Sequence, residues 1–563
     1  MKKNIFLAIF ISAASLVFSQ DIPYNLTPDW ESTPMGHVAT GLGIADIDGD
    51  GWKDLVVANG NDISRQHLVV YHNNGDGTFP LSPTWESDDI DYHGHLAVGD
   101  LDSDGDVDVV VSVYIGPAGF SSPGKIKVYY NENGTLEGTP SFESNPFYTF
   151  SCALGDADGD GDLDIAAAAG EPYSQLEDYG KVFINNNGVF SASPEWETEN
   201  LMGALDVEFG DINRDGYMDL VFACEYSDNY IYLADEDGMI SSSPYWNSSE
   251  TENFINSTDI GYREDPPSSI VVMTENDQLG GLGRVRMYGF EPPLPGSSSA
   301  SWYSTSIGYG SGIILCDINM DDIADLIYGG WWRPVKIHTG NGIDFSDVEY
   351  TSNTSSVVEA IQMTDLGTES VITKTVPFTI ETSMQGKNIL ILREQVTENI
   401  LSVSVDGNTL SAADYSFVPN KNWIAFSDPF TAGSSVEVEY SYSVHPDMVI
   451  TNWDSGKGNY IFYNTNIPIG TGEEHLETAK ELIGRIWPVP ASDHFTVEIH
   501  SSKGPLEIVL TDSRGKICEQ KYSGGSPGHL HKMFFSTSHL SPGVYFIEVI
   551  GKESVDSEKI IIE

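Results

Sequence analysis

The sequence predicts an all-β protein, a seven-bladed β-propeller with an inserted small β-sandwich and a C-terminal β-sandwich domain. Three observations predict the propeller. An acidic nine-residue loop recurs at a spacing of about 55 residues. An apolar run of strand length follows each loop, and a short aromatic strand ends each repeat. A closed ring of such repeats hides the strand edges that a linear array would expose.

The acidic loop has the pattern Asp-x-Asp/Asn-x-Asp-Gly-x-x-Asp in four complete copies, and a fifth copy has Asp322 where the others have glycine. Alternate positions along a tight loop turn inward together, so their oxygens can surround one cation. The candidate metal-ligating residues are Asp46, Asp48, Asp50, Trp52 and Asp54; Asp100, Asp102, Asp104, Asp106 and Asp108; Asp156, Asp158, Asp160, Asp162 and Asp164; Asp211, Asn213, Asp215, Tyr217 and Asp219; and Asp317, Asn319, Asp321 and Asp325.

Calcium fits these loops best, because it accepts many oxygen ligands in a flexible shell, whereas magnesium needs strict octahedral geometry. Zinc would require His or Cys ligands, which the loops lack. An EF-hand would need flanking helices and a Glu at position twelve, where the first copy has Val57. A plain Asp/Gly-rich surface turn explains one copy but not a repeated set. The sequence therefore predicts structural Ca²⁺ at about four to five sites.

Each repeat is predicted to begin with an inner strand and to end with an outer strand. The inner strands begin near Val38, Leu96, Cys152, Leu205, Ile255, Ile313 and Val358. The outer strands lie at Trp30, Trp85, Phe142, Trp196, Trp246, Trp302 and Tyr350. The first aromatic strand precedes every inner strand, and the last repeat has none of its own. The N-terminal strand is therefore predicted to close the ring.

These repeats resemble the FG-GAP/VCBS family, which forms calcium-stabilised β-propellers such as the head of integrin α chains. The resemblance covers about residues 21–466 and implies calcium loops on one face and longer loops on the other. Two repeats depart from the pattern. Between Gly261 and Ile270 only Asp265 keeps a ligand position, which predicts a blade without an ion. In the seventh repeat about 80 residues separate Asp365, which opens the loop, from Asp447, which ends it.

The predicted domains are a signal peptide at 1–20, the propeller at 21–367 and 446–466, the insertion at 368–445, a linker at 467–482 and a C-terminal domain at 483–563. The insertion alternates apolar and polar residues and has turn signals at Asp406-Gly407 and Pro419-Asn420, which predicts a small β-sandwich. Its role is left open between a spacer, an accessory binding module and a decoration.

Both ends of the chain indicate export. Lys2 and Lys3 precede an apolar run, which is typical of a cleavable secretory signal, and no later stretch is apolar enough to predict a membrane span. The C-terminal motifs at 487–493, 510–516, 540–545 and 559–562 resemble the sorting domain of the type IX secretion system of Bacteroidetes. The resemblance implies the type IX secretion machinery as a partner and an extracellular or outer-membrane cell-surface location. An ordinary binding β-sandwich is the alternative.

The charge balance limits the partners. The chain has 84 acidic and 27 basic residues, a net charge of −57, which disfavours nucleic acid. It has only four cysteines, at Cys152, Cys224, Cys316 and Cys518. We interpret them as small buried hydrophobic residues, and we expect calcium to provide the cross-linking that disulfides give other secreted proteins.

Candidate ligand-binding residues are those on the loop face opposite the calcium loops. Aromatic rings beside hydrogen-bonding groups suit sugars, which have apolar C–H faces and polar rims. Packing of these aromatics between blades is the alternative, although adjacent strand residues face opposite ways, so Trp331 and Trp332 cannot easily be buried together. The candidates are Trp331, Trp332, Arg333, Trp453, Tyr309, Tyr92, His93 and His95.

The favoured function is a non-catalytic surface lectin or adhesin that binds a glycan or a protein through this face. One alternative is a polysaccharide-acting, lyase-like enzyme with His93, His95 or Tyr92 as base and Arg333 neutralising a uronate. Another is a surface scaffold without a small ligand. No motif places an acid and a base together, so no catalytic residue is assigned.

Overall fold

The structure is a computed structural model. It describes residues 22–465 apart from 172–173, 236–237, 251–253, 265–266, 278–281, 292–295, 306–307, 322, 368–370 and 395. It also describes residues 483–562 apart from 488–493, 501–505, 513–515, 524–529, 538–539, 541–542 and 551–554. The predicted signal peptide and linker therefore lie outside the described residues. The chain divides into two compact units, Met1–Ile469 and Gly470–Glu563.

The first unit is built from short antiparallel strands. Strand β1 (Trp30–Glu31) comes first. Five four-stranded sheets follow: β2 (Ala39–Ala45), β3 (Asp54–Asn59), β4 (Val69–Tyr71) and β5 (Trp85–Glu86); β6 (Tyr92–Gly99), β7 (Asp108–Gly116), β8 (Gly119–Tyr129) and β9 (Phe142–Glu143); β10 (Thr149–Gly155), β11 (Asp164–Ala169), β12 (Asp178–Phe183) and β13 (Trp196–Met202); β14 (Ala204–Gly210), β15 (Asp219–Cys224), β16 (Tyr230–Tyr232) and β17 (Trp246–Asn247); and β18 (Ile255–Glu264), β19 (Pro267–Glu275), β20 (Val285–Phe290) and β21 (Trp302–Tyr303).

The remaining strands of the first unit complete the repeat and form the insertion. The next four strands are β22 (Gly310–Cys316), β23 (Asp325–His338), β24 (Tyr350–Thr351) and β25 (Ser356–Thr364). The insertion contains β26 (Val371–Thr379), β27 (Ile389–Ile391), β28 (Thr397–Val405), β29 (Asn408–Thr409), β30 (Tyr415–Ser416), β31 (Trp423–Phe426) and β32 (Ser435–Ser443), with short 3-10 helices at Thr382–Met384 and Ala412–Asp414. Strands β33 (Asp447–Asn452) and β34 (Tyr460–Phe462) follow it.

A seven-stranded sheet joins the two ends of the repeat region. It contains β1, β34, β33, β25, β23 and β22 in that order, with β24 paired to β23. Trp30 of β1 pairs with Ile461 of β34, as predicted for closure by the N-terminal strand. A central cavity of about 100 Å³ is lined by residues of β2, β6, β10, β14, β18, β22 and β25. The all-β, propeller-like fold is confirmed, and the number of seven blades stays a prediction that this lining supports.

Packing between neighbouring sheets explains the apolar runs after each acidic loop. All nine residues of β7 are buried. Val109 and Val111 pack in a core with the preceding sheet, whereas Val110 packs in a core with the following one. A strand covered on both faces needs apolar residues at every position rather than at alternate ones.

The tryptophans of the outer strands have a polar role as well. The indole N–H of Trp30 donates to the carbonyl oxygen of Phe79 at 3.1 Å. Trp196 donates to Ile240 at 2.8 Å. Each bond runs from an outer strand to a loop of the next sheet, so the repeated tryptophan fastens adjacent sheets together while its ring fills the space between them.

The insertion forms two sheets that share a core. The strand orders are β26-β32-β28-β29 and β27-β31-β30. Leu390, Ile424, Val436 and Tyr440 lie in the shared hydrophobic core. This is the arrangement expected of a small β-sandwich.

The second unit also contains two sheets. Its strands are β35 (Ile483–Trp487), β36 (His494–His500), β37 (Leu506–Asp512), β38 (Ile517–Ser523), β39 (Leu530–Ser536), β40 (Gly543–Ile550) and β41 (Val555–Ile562). The sheets have the orders β35-β36-β39 and β38-β37-β40-β41 and share a core that includes Phe495, Leu510 and Ile547. A search of the described parts of both units found no helix with the length and apolarity needed to span a membrane.

Candidate calcium loops and ligand-binding face

The ninth residue of each acidic loop fixes the loop ends. In the first loop, Asp54 accepts hydrogen bonds from the backbone N–H groups of Ile47 at 3.0 Å and Asn73 at 2.8 Å. The same pair of backbone bonds is made by Asp108, Asp164, Asp219 and Asp325. This carboxylate therefore ties the loop to a later turn of the same repeat, in addition to being a candidate ligand.

The first residue of each loop organises the turn. Asp46 accepts the N–H of Gly51 at 2.8 Å, and Asp211 accepts the N–H of Gly216 at 2.9 Å. These two glycines have φ values of 91° and 90°, in the left-handed region where a side chain is strained. The sixth position therefore requires glycine for its backbone conformation. Asp322, its counterpart in the fifth loop, lies outside the described residues.

Carboxylate oxygens converge inside the described loops. The sets with ligand atoms within 4.8 Å of one another are Asp46, Asp48 and Asp50; Asp48, Asp54 and His72; Asp100, Asp102 and Asp108; Asp102, Asp104 and Glu132; and Asp156, Asp158 and Asp164. His72 and Glu132 lie outside the nine-residue pattern, so the sequence analysis missed them. Both come from the turn that the ninth-position Asp holds, which is a long-range contact that loop spacing does not reveal.

The electrostatics of these clusters fit a bound cation. Burial and the neighbouring Asp102 and Asp100 carboxylates raise the pKa of Asp108 to about 8, although backbone hydrogen bonds oppose the shift. Burial and the Asp160 charge raise the pKa of Asp156 to about 7. The Oδ1 atoms of Asp100 and Asp158 are buried without a hydrogen-bond partner. Apart from His72, the converging donors are carboxylate oxygens, and buried carboxylates that repel one another suit a hard divalent cation.

The two irregular repeats differ from the others in distinct ways. Strands β18 and β19 stay paired up to Glu264 and Pro267, so paired strand residues occupy the place of the acidic loop in the fifth repeat, and Asp265 lies outside the described residues. In the seventh repeat, Asp447 accepts the N–H of Leu366 at 3.1 Å across the whole insertion. The seventh repeat therefore keeps the backbone hydrogen bond of the ninth-position Asp, although it lacks the rest of the acidic loop.

A lysine supplies positive charge at this seventh loop. Lys53 donates to Thr364 Oγ1 at 2.5 Å and forms an ion pair with Glu398 of the insertion. Asp365 and Asp447 favour the charged form of Lys53 against the effect of burial, which lowers its pKa to about 7. Glu398 also accepts the N–H of Asp365 at 3.1 Å. An ammonium group thus faces two carboxylates that correspond to ligand positions in the other loops.

The insertion packs on the acidic-loop side of the third and fourth repeats. Asn388 Nδ2 donates to Asp156 Oδ2 at 2.5 Å, and Tyr217 donates its hydroxyl to the carbonyl of Gly386 at 2.9 Å. Ile389 donates its N–H to the carbonyl of Gly216 at 3.1 Å. Two predicted loops thus have direct contacts with residues more than 150 positions away in the chain, with a separation of 232 for the first pair.

One loop of the insertion reaches the central cavity. Lys421 lines the central cavity, and Val418 and Lys421 also line a second cavity with Leu42, Leu96 and Glu208 from the inner strands. The Lys421 ammonium lies 2.9 Å from Glu208 and 3.5 Å from Asp259. These two carboxylates hold the pKa of Lys421 above its usual range despite its burial. The insertion therefore places a positive charge beside two carboxylates of the inner strands.

We expect Lys421→Met to lower the free energy of unfolding by roughly 2 kcal/mol, because it leaves two carboxylates without their cation in a largely buried place. This loss is smaller than the about 3–5 kcal/mol typical of a fully buried pair, because the Lys421 side chain is 32% exposed. Urea unfolding measures the change, and Lys457→Met, at an exposed lysine, is the control. Equal stability of both variants would contradict a role for the ion pair.

The opposite face carries a cluster of four aromatic side chains. Trp331 is buried at 6% exposure, donates its indole N–H to Glu359 at 3.0 Å, and has its ring 6.3 Å from that of Tyr309 and 5.1 Å from that of Trp453. Trp332 is 55% exposed and makes edge contacts with Tyr309 and Trp331. Trp331 is therefore packed inside the protein and Trp332 faces solvent, and the buried Trp331 ring supports the exposed one.

The other loop-face candidates occupy different places. His93 is fully buried, with Nδ1 2.8 Å from the carbonyl oxygen of Asn59, and burial lowers its pKa to about 4. His95 lines the central cavity 3.7 Å from Asp206. Tyr92 packs half-buried against a core that includes Tyr114. The expectation that His93 contacts a ligand is corrected, because irregular register in β6 turns it into the core.

A buried carboxyl that sequence reasoning missed lies on this face. Glu225 is 2% exposed, its Oε2 has no hydrogen-bond partner, and it lines a cavity of about 450 Å³ with Leu176, Glu177 and Tyr226. Burial and the nearby Glu171 charge raise the pKa of Glu225 to about 8. No sequence motif marks Glu225, and only the fold shows that its carboxyl group is buried with one oxygen that accepts no hydrogen bond.

Comparison with known families supports two parts of this architecture. The model for the FG-GAP-like repeat matches residues 46–111, 113–167 and 173–222. The model for the secretion system C-terminal sorting domain matches residues 485–563. The chain therefore carries FG-GAP-like repeats and a type IX secretion sorting domain, and the sorting domain indicates export to the cell surface or the medium.

Solved structures that match this chain include two crystal structures of BBS1N in complex with ARL6DN. The one soaked with mercury is 11% identical in sequence, with a TM-score of 0.39, and the match covers 74% of this chain and 97% of that chain. The one soaked with lead is 12% identical, with a TM-score of 0.41, and the match covers 64% and 95%. No curated protein matches the sequence.

Proposed function

We propose that this protein is a calcium-stabilised β-propeller, secreted or held at the cell surface, that binds a glycan or protein ligand through its aromatic loop face without catalysing a reaction. One observation carries the ligand-binding part of the proposal. Trp332 exposes 55% of its surface on a base of packed aromatic rings, instead of being buried between sheets as Trp331 is.

The backbone at Trp332 supports this assignment. Its φ is 54°, in the left-handed region that bulky residues rarely adopt. Such strain persists only where the surroundings hold it, and it is concentrated at functional sites. The ordered Tyr309 and Trp331 rings on either side hold Trp332 in place, so little conformational freedom is lost when a ligand packs on it.

The lyase-like alternative has less support. It needs a base on the loop surface near Arg333, but His93 is fully buried and His95 lies in the central cavity. Tyr92, the third candidate base, packs half-buried against a hydrophobic core. A general base must come within hydrogen-bond reach of the proton that it removes. We therefore propose binding, with the acidic loops of the other face holding Ca²⁺ that stabilises the fold.

We expect Trp332→Ala to weaken ligand binding by at least about tenfold, because an exposed aromatic anchor is lost while the supporting core stays in place. The measurement is retention of the full protein on a polysaccharide panel and on cell surfaces in calcium. Tyr245→Ala, at an exposed aromatic residue elsewhere, is the control. Equal retention of both variants on every surface tested would reject the loop face as the binding site.

A further inference from the structure

The loop face contains a cavity whose charge is opposite to that of the protein. It has a volume of about 390 Å³, and its charged lining residues are Arg284, Arg333 and Lys336, with no acidic residue among the described lining. The chain has 84 acidic and only 27 basic residues. The fold therefore gathers three cations at one place in a protein whose overall field is strongly negative.

The two arginines are held by their surroundings. The Arg284 guanidinium lies 4.1 Å from the centre of the Tyr303 ring. Arg333 packs closely on Gly308, where an added Cβ would come within 2.7 Å of its Nε atom. No described carboxylate forms an ion pair with either guanidinium. Both groups are thus oriented without being neutralised, as in a preformed anion site.

The lysine adds to the positive potential. Burial and the charge of Arg333 together lower the pKa of Lys336 below its ordinary value. The two cations therefore repel each other inside a partly desolvated cavity. An anion placed between them would remove this repulsion and gain charge-assisted hydrogen bonds.

An aromatic wall adjoins the cations. Tyr309 lines the same cavity and stacks on Trp331, and the exposed Trp332 immediately precedes Arg333 in the chain. Cations next to apolar ring faces match a sugar that carries an acidic group on a ring with apolar C–H faces. The cavity volume is also in the range of small-ligand sites.

The geometry points to an anionic-sugar subsite: we infer that Arg284, Arg333 and Lys336 bind the carboxylate or sulfate of an acidic polysaccharide whose ring packs on the adjoining aromatic residues. This inference rests on the proposed function and names its ligand class. Guanidinium groups suit either anion, because their planar fork matches two oxygens at once.

The test measures retention of the full protein, in calcium, on immobilised polygalacturonate, dextran sulfate, uncharged dextran and polyglutamate. The test variant is Arg333→Gln/Lys336→Gln. The matched control is Lys125→Gln/Lys457→Gln, which makes the same change in net charge away from this cavity. Melting temperatures establish that each variant is folded.

We expect the wild type to be retained on polygalacturonate or dextran sulfate but not on dextran, with the test variant at least about tenfold weaker and the control unchanged. Retention on the first polymer alone identifies a carboxylate ligand, and on the second alone a sulfate ligand. The inference is overturned if the wild type is retained on neither acidic polysaccharide or on polyglutamate alone. It is also overturned if the test variant is retained as strongly as the control variant. Trp332-dependent binding of a neutral glycan would then leave the proposed function standing.

Discussion

We expect EDTA to lower the melting temperature of this protein by on the order of 10 °C, because the acidic loops lose the cation that offsets their repulsion. With an affinity of ~0.1 mM and free calcium of ~2 mM, each site stabilises the fold by about 1.8 kcal/mol through mass action. The four complete loops together then contribute roughly 7 kcal/mol. Differential scanning calorimetry in calcium and in EDTA measures the shift.

Two controls make this result specific. Calcium added back in excess restores the original transition, and the same concentration of magnesium does not. Asp160→Asn removes one charge from the third loop and reduces the calcium-dependent part of the shift by about one site's share. Identical melting temperatures in calcium and in EDTA would show that calcium does not stabilise this fold.

A second large effect is expected at Glu225, where we predict that Glu225→Gln makes the protein more stable above pH 8. The ordinary pKa of a glutamate is 4.5, and burial raises that of Glu225 to about 8. Between these values the folded state binds more protons than the unfolded state, so the free energy of unfolding falls as pH rises. The full loss, about 5 kcal/mol, is present above pH 8 and absent below pH 4.5.

Glutamine keeps the shape of the side chain but cannot ionise, so the variant lacks this loss. Urea unfolding at several pH values between 4 and 9 gives the two curves, which we expect to meet at the acid end and to separate as pH rises. Glu177→Gln is the matched control, because Glu177 lines the same cavity but is exposed. Parallel curves for wild type and Glu225→Gln would show that Glu225 ionises normally.

Local pattern was sufficient for much of the architecture. The predicted outer strands at Trp85, Phe142 and Trp302 begin β5, β9 and β21. The acidic loops join inner strands to fully buried second strands, as the apolar runs after Asp54 and Asp219 indicated. These features depend on residues close in sequence, where turn geometry and hydrophobic periodicity act directly.

The loop face shows where local pattern fails. Strict alternation in β6 cannot distinguish the environments of His93 and His95, because the register shifts between His93 and Leu96. One histidine enters the core and the other lines the central cavity. A bulge of this kind depends on pairing with β7 and on the close contact of Gly94 with the next sheet, which sequence spacing does not encode.

The sequence by itself determined the FG-GAP-like repeat, the closing strand and the C-terminal sorting domain, because each depends on a short run of neighbouring residues. Only the tertiary structure decided that the insertion contacts an acidic loop through Asn388 and inner strands through Lys421. It also decided that Trp332 and not Trp331 faces solvent, and that the cations of one cavity lie close together beside Trp332. The physical reason is distance along the chain. Burial, ion pairing and pKa shifts depend on which segments, remote in sequence, pack together, and these contacts are set by the complete tertiary fold.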